Sequence, residues 1–104
     1  MHNLPDNFVH LSGTIKRDAE ARLVRESLRI MDFTLVVGAT PETRGTYIDC
    51  EAYGHIVEQA EGFMEEGEEV TIEGHFGFRT WTDSQGVRRS GRVIIIDEIE
   101  YEED

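Results

Sequence analysis

The amino-acid sequence predicts a single all-β domain, a five-stranded Greek-key barrel with one helix between its third and fourth strands. Several segments alternate apolar and polar residues with a period of two, which is typical of half-buried strands. One segment in the second half has its apolar residues at helical spacing instead. The length of 104 residues is that of one domain with a modest core. We therefore expect residues 1–104 to form one domain.

Three strands are predicted in the first half of the chain. The first lies at about 7–16 and the second at 28–38, and "GATPETRG" after them predicts a loop because it is rich in Gly, Pro and Thr. The third strand is "TYIDCEAYG", in which Ile48, Cys50 and Ala52 alternate with polar residues. Tyr47 and Tyr53 share the polar face of this strand.

A helix is predicted in the next segment, "HIVEQAEGFMEEG". Its apolar residues recur every three to four positions, which places them on one face of a helix. We expect this helix to end at Gly67, since glycine readily adopts the left-handed conformation that ends helices.

The last two strands are predicted at 69–81 and 87–100, joined by the turn "DSQG". Strict alternation would bury one face of the first of them, the face that carries Val70, Ile72, Phe76 and Phe78. Trp81, the only tryptophan, then lies with Arg79 on the solvent-facing side.

The order of three strands, one helix and two strands is that of the OB-fold, a partly open Greek-key barrel that binds oligonucleotides or sugars on its strand 2–3 face and loops. A small β-sandwich with an incidental helix is the structural alternative.

The charge distribution bears on the choice of partner. The formal net charge of −12 disfavours nucleic acid and membrane surfaces. Residues 49–75 contain no lysine or arginine, and the C-terminal end at about 97–104 is also acidic. Residues 76–96, however, carry four arginines against Asp83 alone. Because positive charge is concentrated around Trp81, a polyanion remains compatible with the sequence.

Features of location and catalysis are few. No apolar run could span a membrane, and "MHNLPDNFVHL" lacks the character of a signal peptide. The single cysteine, Cys50, cannot form an internal disulfide, which favours a reducing, cytoplasmic location and a core position. The four histidines share no metal-ligand spacing, and no phosphate-binding or nucleophile motif is present. We expect no metal, no cofactor and no enzymatic activity.

Three aromatic residues on polar-side positions form the candidate site: Tyr47, Tyr53 and Trp81. Flat rings in an open groove stack on nucleic-acid bases, and arginine pairs with phosphates. Tyrosine is also simply a good strand former, and protein-binding surfaces are likewise rich in Tyr, Trp and Arg.

The chain resembles the bacterial single-stranded DNA-binding protein family over nearly its whole length. The resemblance is carried by Gly13, by Asp18, Glu20 and Arg22, by the pair Tyr53–Gly54, by Gly67 with "VTIEG", and by "RTWTD" at 79–83. It implies that Tyr47, Tyr53 and Trp81 stack on bases and that the hairpin around residues 83–86 grips the strand. It also implies a homotetramer, with a dimer as the alternative, and replication or repair proteins as further partners.

The chain departs from that family in two ways. The family's flexible tail with a terminal phenylalanine is not found in "DEIEYEED", so we expect either a trimmed sequence or a short accessory type. Lys16 is the only lysine, and Asp49 and Glu51 lie between the two tyrosines. Carboxylates near phosphates predict weaker and more salt-sensitive binding.

The sequence thus predicts a nucleoid-associated protein that binds single-stranded DNA without sequence preference and protects it in replication, recombination or repair. Stacking is assigned to the three aromatic residues and phosphate pairing to cations: Arg79, Arg88, Arg89, Lys16 and Arg17. The alternatives are a primosome-like protein-interaction module with weak DNA binding, and an OB-fold sugar binder.

Overall fold

One closed sheet dominates the structure, a computed structural model that describes residues 6–24 and 26–102. In chain order the described elements are β1 (Val9–Ile15), β2 (Ala21–Leu23), β3 (Arg29–Val37), β4 (Thr46–Tyr53), α1 (His55–Ala60), β5 (Glu69–Thr82) and β6 (Arg88–Tyr101). The strand order is β1-β5-β6-β4-β3-β2, and β1 also pairs with β3. This second pairing closes β1, β5, β6, β4 and β3 into a ring. The predicted OB-fold barrel is confirmed.

The core fills the barrel with the inward-facing residues of each strand. Met31, Phe33 and Leu35 of β3 pack there with Cys50 and Ala52 of β4. Burial raises the pKa of the Cys50 thiol to about 12, so this cysteine is a small apolar core residue, as its strand position predicted.

The helix is shorter than predicted. It ends at Ala60 because the next residue, Glu61, adopts extended backbone angles (φ −58°, ψ 136°). Phe63 and Met64 still pack against the core, but they do so from an irregular segment between α1 and β5. Gly67 does have a positive φ of 89°, yet it lies in the turn before β5, where its N–H donates to the carbonyl of Ile15. No helix among the described residues is long or apolar enough to cross a membrane.

The strand β2 was not predicted. Its three residues pair with β3, from Ala21↔Met31 to Leu23↔Arg29. They lie on the same edge of β3 that pairs with β1 at Leu35 and Val36, because β4 occupies the other edge. So short a segment carries too few residues for alternation to be recognised.

The prediction that Phe76 and Phe78 are buried is wrong. They are 52% and 76% exposed, although they share the face of Val70 and Ile72. The reason is that β1 pairs with β5 only as far as Val9↔Gly74. Beyond Gly74, β1 no longer covers β5, and beyond the pair Phe76↔Ile94 the strands β5 and β6 continue as a two-stranded hairpin that leaves the barrel. This face has no core to cover it.

The acidic C-terminal end is not a separate tail in the described region. Residues 97–101 belong to β6, and the ring of Tyr101 lies 5.0 Å from that of Phe63. Residues 103–104 of the predicted acidic end lie outside the described residues, as do residues 1–5 and 25. The extent of the domain over 1–104 therefore stays a prediction.

We predict that Gly74→Ala destabilises the barrel. A Cβ at residue 74 would lie 2.1 Å from the carbonyl oxygen of Ile95, a backbone atom that cannot move without disturbing β6. Overpacking of this kind costs about 2–3 kcal/mol of the free energy of unfolding, measured by urea denaturation. Gly77→Ala is the matched control, because its Cβ would meet only the side chain of Ile95, at 3.0 Å and beyond. Equal losses in both variants would contradict the prediction.

Candidate nucleic-acid interface

The outer face of β3 and β4 presents both predicted tyrosines to solvent. The antiparallel register pairs Val36 with Tyr47 and Ile30 with Tyr53 at the two ends of this face. Between them lie two further pairs, Thr34 with Asp49 and Asp32 with Glu51. Tyr47 is 55% exposed and Tyr53 is 37% exposed. Strand alternation thus separates these rings from the core, as the sequence indicated.

Trp81 lies on the projecting β5–β6 hairpin and is 43% exposed. Its ring rests over Gly91 of β6: a Cβ built at that glycine would lie 3.4 Å from two ring carbons. The guanidinium of Arg79 lies 5.5 Å from the ring centroid on the same face of β5. A glycine therefore gives the indole a flat backbone to lie on, and the rest of the ring stays accessible.

Arg79 joins the hairpin to the β3–β4 face. Its guanidinium nitrogens lie 3.6 Å from a carboxylate oxygen of Asp32 and 3.6 Å from one of Asp49. A cavity of about 380 Å³ opens beside it, lined by Arg22, Asp32, Glu51, Arg79, Thr80 and Trp81. The indole of Trp81 and the outer face of β4 thus border one open cleft, which we call the Arg79 cleft.

The other predicted cations divide into two groups. Lys16 lies with its Nζ 4.2 Å from the centroid of the Tyr47 ring, and Arg17 lines a second cavity of about 290 Å³ that Arg79 also borders. Arg89 pairs with Trp81 across the hairpin, but its Nε donates to Asp83 at 2.9 Å. Arg88 pairs with Thr82, which by alternation places it on the face of Phe78 and not on that of Trp81.

Carboxylates form ion pairs or hydrogen bonds with several of these cations and polar groups. Asp49 accepts a hydrogen bond from the hydroxyl of Thr34 at 3.0 Å and pairs with Arg79. Asp32 pairs with both Arg22 and Arg79. Tyr53 donates its hydroxyl hydrogen bond to Glu51, which is largely buried. A phosphate that binds Arg79 must compete with two carboxylates already in place.

Sequence reasoning missed the role of Arg22 and Asp32. Arg22 belongs to the unpredicted strand β2, and its guanidinium donates to Asp32 at 3.0 Å while it borders the Arg79 cleft. Arg22 is among the residues that carry the family resemblance, and that resemblance was the one feature of the sequence that could have indicated its role. Alternation along β3 places Asp32 on the outer face, but only the register of β3 with β4 sets it opposite Glu51.

The histidines among the described residues do not line the Arg79 cleft. His10 pairs with Glu73 at 3.3 Å and His75 with Asp97 at 3.0 Å. Within the described part of the chain, no group of three or more His, Cys, Asp or Glu side chains is arranged to hold a metal ion.

An OB-fold barrel with exposed aromatic rings on its outer face and hairpin, and with cations beside them, is typical of the oligonucleotide-binding class. Comparison with known families agrees, because the model of the single-strand binding protein family matches residues 6–101. The chain therefore belongs to that family. It is also similar to single-stranded DNA-binding protein 1 of a Synechocystis strain, with 28% identity over 98 residues that cover 90% of this chain and 81% of the relative.

The tip of the β5–β6 hairpin yields a prediction about pH. The carboxylate of Asp83 accepts hydrogen bonds from the N–H groups of Val87 and Gln85 and from Arg89. The bond from Val87, then that from Arg89, holds the pKa of Asp83 below its ordinary value of 3.8. A depressed pKa means that ionised Asp83 stabilises the tip above about pH 4, and that this contribution is lost as the pH falls through the lowered value.

We therefore expect Asp83→Ala at pH 7 to accelerate amide hydrogen exchange at Gln85 and Val87. The wild-type protein should approach the same rates, corrected for intrinsic exchange, only well below pH 4. Glu65→Ala is the control, since it removes one exposed carboxylate far from the hairpin. Unchanged protection in Asp83→Ala would show that the backbone turn alone holds the tip.

Proposed function

We propose that this chain binds single-stranded DNA along a path that runs from Tyr47 and Tyr53 on β4 through the Arg79 cleft to Trp81. Membership of the single-strand binding protein family supports this function and does not favour the protein-interaction alternative. The observation that carries the proposal is the exposure of three aromatic rings on the outer surface, with Arg79 joining the two elements that hold them.

Stacking accounts for binding without sequence preference. Every base has a flat π-face, so an exposed ring accepts any of them, and each stack contributes about 1–3 kcal/mol, the range generally found for bases on OB-folds. Tyr47 and Tyr53 lie six residues apart on the same face of β4, which gives successive bases separate rings. Trp81 offers a third ring across the cleft.

Cations along the path pair with phosphates in this proposal. Lys16 lies at the Tyr47 end, Arg79 lies at the centre, and Arg17 lines a cavity that Arg79 also borders. Arg89 and Arg88 flank Trp81 on the two faces of the hairpin. Because Asp32, Asp49 and Asp83 already neutralise Arg79 and Arg89, we expect affinity below that of a basic family member and a strong dependence on salt.

The cellular role follows from this chemistry. We infer that the protein acts by binding and not by catalysis, and that it protects single strands in replication, recombination or repair within the cytoplasm, associated with the nucleoid. Assembly as a homotetramer, or a dimer, and contact with replication or repair proteins are part of the same proposal. The exposed Phe76 and Phe78 on the hairpin face opposite Trp81 are consistent with a protein contact there.

Titration with oligo(dT) while Trp81 fluorescence is followed tests the function. We expect quenching by single strands and not by duplex DNA, because only unpaired bases can stack on the indole. The logarithm of the binding constant should fall with log salt by about 0.7 per phosphate contacted. Absence of quenching at low salt would overturn the proposed function, and salt-independent binding of an oligosaccharide would favour the sugar-binding alternative.

Substitution of each ring tests the assigned positions. Tyr47→Ala, Tyr53→Ala and Trp81→Ala should each weaken binding by about 1–3 kcal/mol, which is roughly 5- to 150-fold in Kd. Fluorescence anisotropy of a labelled oligonucleotide measures all three, since one variant lacks the tryptophan. Phe78→Ala is the matched control, an exposed aromatic residue on the same strand but the other face. Equal losses in Phe78→Ala and Trp81→Ala would reject the path.

A further inference from the structure

A buried carboxyl group lies in the middle of the stacking surface. Glu51 is only 7% exposed, although alternation along β4 places it on the outer face between Asp49 and Tyr53. Burial of an acidic side chain is costly unless the group is paired or neutral. The surroundings of Glu51 therefore decide what form it takes.

The hydroxyl of Tyr53 donates a hydrogen bond to Oε1 of Glu51. This bond holds the far end of the phenol, and with it the plane on which a base is proposed to stack. Glu51 also lines the Arg79 cleft, but its contact with a stacking ring is this bond to Tyr53, which makes it a positioning residue for that ring.

Asp32 stands directly across from Glu51 in the β3–β4 register. One of its oxygens, Oδ1, is buried and accepts no hydrogen bond from any described residue. The pKa of Glu51 is raised, first by burial, then by the hydrogen bond that its protonated form can donate to Asp32 and by the negative charge of Asp32, against the opposing charges of Arg79 and Arg22. A proton on Glu51 supplies the donor that the Asp32–Glu51 pair lacks.

Two cations lie against this carboxyl pair and favour its charged form. Arg22 lies 3.0 Å from Oδ2 of Asp32, and Arg79 lies 3.6 Å from Oδ1. These are also the cations that border the Arg79 cleft, where a phosphate would draw them away from the carboxyls. When either arginine turns to a phosphate, the carboxyl pair loses a counter-charge and its affinity for a proton rises.

We propose that Glu51 positions the Tyr53 ring and that strand binding is coupled to the uptake of a proton from solvent by Glu51. The proposal rests on the proposed single-stranded DNA function. The proton goes to the carboxylate of Glu51, and the neutral acid then donates to Asp32. Its carbonyl oxygen continues to accept from Tyr53, so the ring stays in place while the arginines are released to the backbone of the strand.

The charged and titratable groups that face Glu51 come from four strands. Arg22 faces it from β2, Asp32 from β3, Asp49 and Tyr53 from its own strand, and Arg79 from β5. The residue of β6 that pairs with Glu51 is the apolar Ile95, and His75 lies beyond it, paired with Asp97. Proton uptake by groups other than Glu51 is common to wild type and Glu51→Gln. The difference in uptake between the two therefore isolates the contribution of Glu51.

The sign of the pH effect follows from this coupling. Wild-type Kd for oligo(dT) should fall as the pH is lowered, by up to about tenfold per pH unit between the pKa of Glu51 in the free protein and its higher value in the complex. Glu51→Gln keeps an oxygen for Tyr53 and an N–H for Asp32 but does not titrate. Glu51→Gln should bind as tightly at pH 8 as wild type does at low pH. The slope of its log Kd against pH should be smaller than that of wild type by up to one proton.

Calorimetric titration of the full chain with oligo(dT), in two buffers of different ionisation enthalpy, counts the protons directly. We expect more proton uptake by wild type than by Glu51→Gln, and unchanged uptake in Glu65→Gln, a charge-matched control outside the cleft. Tyr53→Phe should weaken binding while uptake persists, because it removes the tether and leaves the carboxyl pair. Asp32→Asn is a second test should Glu51→Gln fail to fold, since it lowers the pKa of Glu51 and should reduce uptake.

Equal proton uptake in wild type and in whichever of Glu51→Gln and Asp32→Asn folds would overturn the coupling. Undiminished affinity in Tyr53→Phe would overturn the positioning role. Neither result touches the proposed function, whose failure is recognised separately, as the absence of any oligo(dT) binding in the wild-type protein.

Discussion

Closure of the barrel through β1 is the constraint on which the other features depend. A single strand pairs with β5 along Val9–Thr14 and with β3 at Thr14 and Ile15, so it must bend sharply where the two pairings meet. Gly13 lies at this bend, and a Cβ there would approach the carbonyl oxygen of Val36 to 2.5 Å. Backbone contact this close lets the sheet close on itself. Closure also fixes the outer face of β3 and β4 against the hairpin that leaves the ring.

Beyond the ring, ion pairs connect the hairpin to the sheet. A two-stranded ribbon has no core of its own and is marginally stable in isolation. Arg79 ties it to Asp32 and Asp49 on the sheet, and Gly91 lets the indole of Trp81 lie flat against β6. The same ion pairs that shape the cleft also neutralise its central cation. The carboxylates that pair with Arg79 therefore connect the hairpin to the sheet and at the same time reduce the positive charge that Arg79 can offer to a phosphate. At the cleft, this is the local effect of the negative net charge.

Period-two alternation was enough to predict the five barrel strands to within a few residues, and with them the outward direction of Tyr47, Tyr53 and Trp81. These predictions depend on neighbours along the chain. The errors have a different origin. Phe76 and Phe78 continue the apolar pattern of Val70 and Ile72, but whether a face is covered depends on how far β1 extends beside it. Phe63 and Met64 pack on the core from an irregular segment, so the apolar residues keep a helical spacing beyond the end of the helix at Ala60.

The register between paired strands could not be predicted from alternation either, and it determines which side chains of the site face each other. Asp49 and Glu51 were expected to act alike, as two carboxylates that repel phosphate between the tyrosines. The register separates them: Asp49 faces Thr34 and remains exposed, whereas Glu51 faces Asp32 and is buried. One carboxylate is therefore a solvated counter-ion to Arg79, and the other is a group whose proton affinity depends on the arginines around it. An acidic residue in a DNA-binding surface weakens binding only while it is charged. Burial beside a second carboxyl gives Glu51 a way to become neutral when the strand arrives.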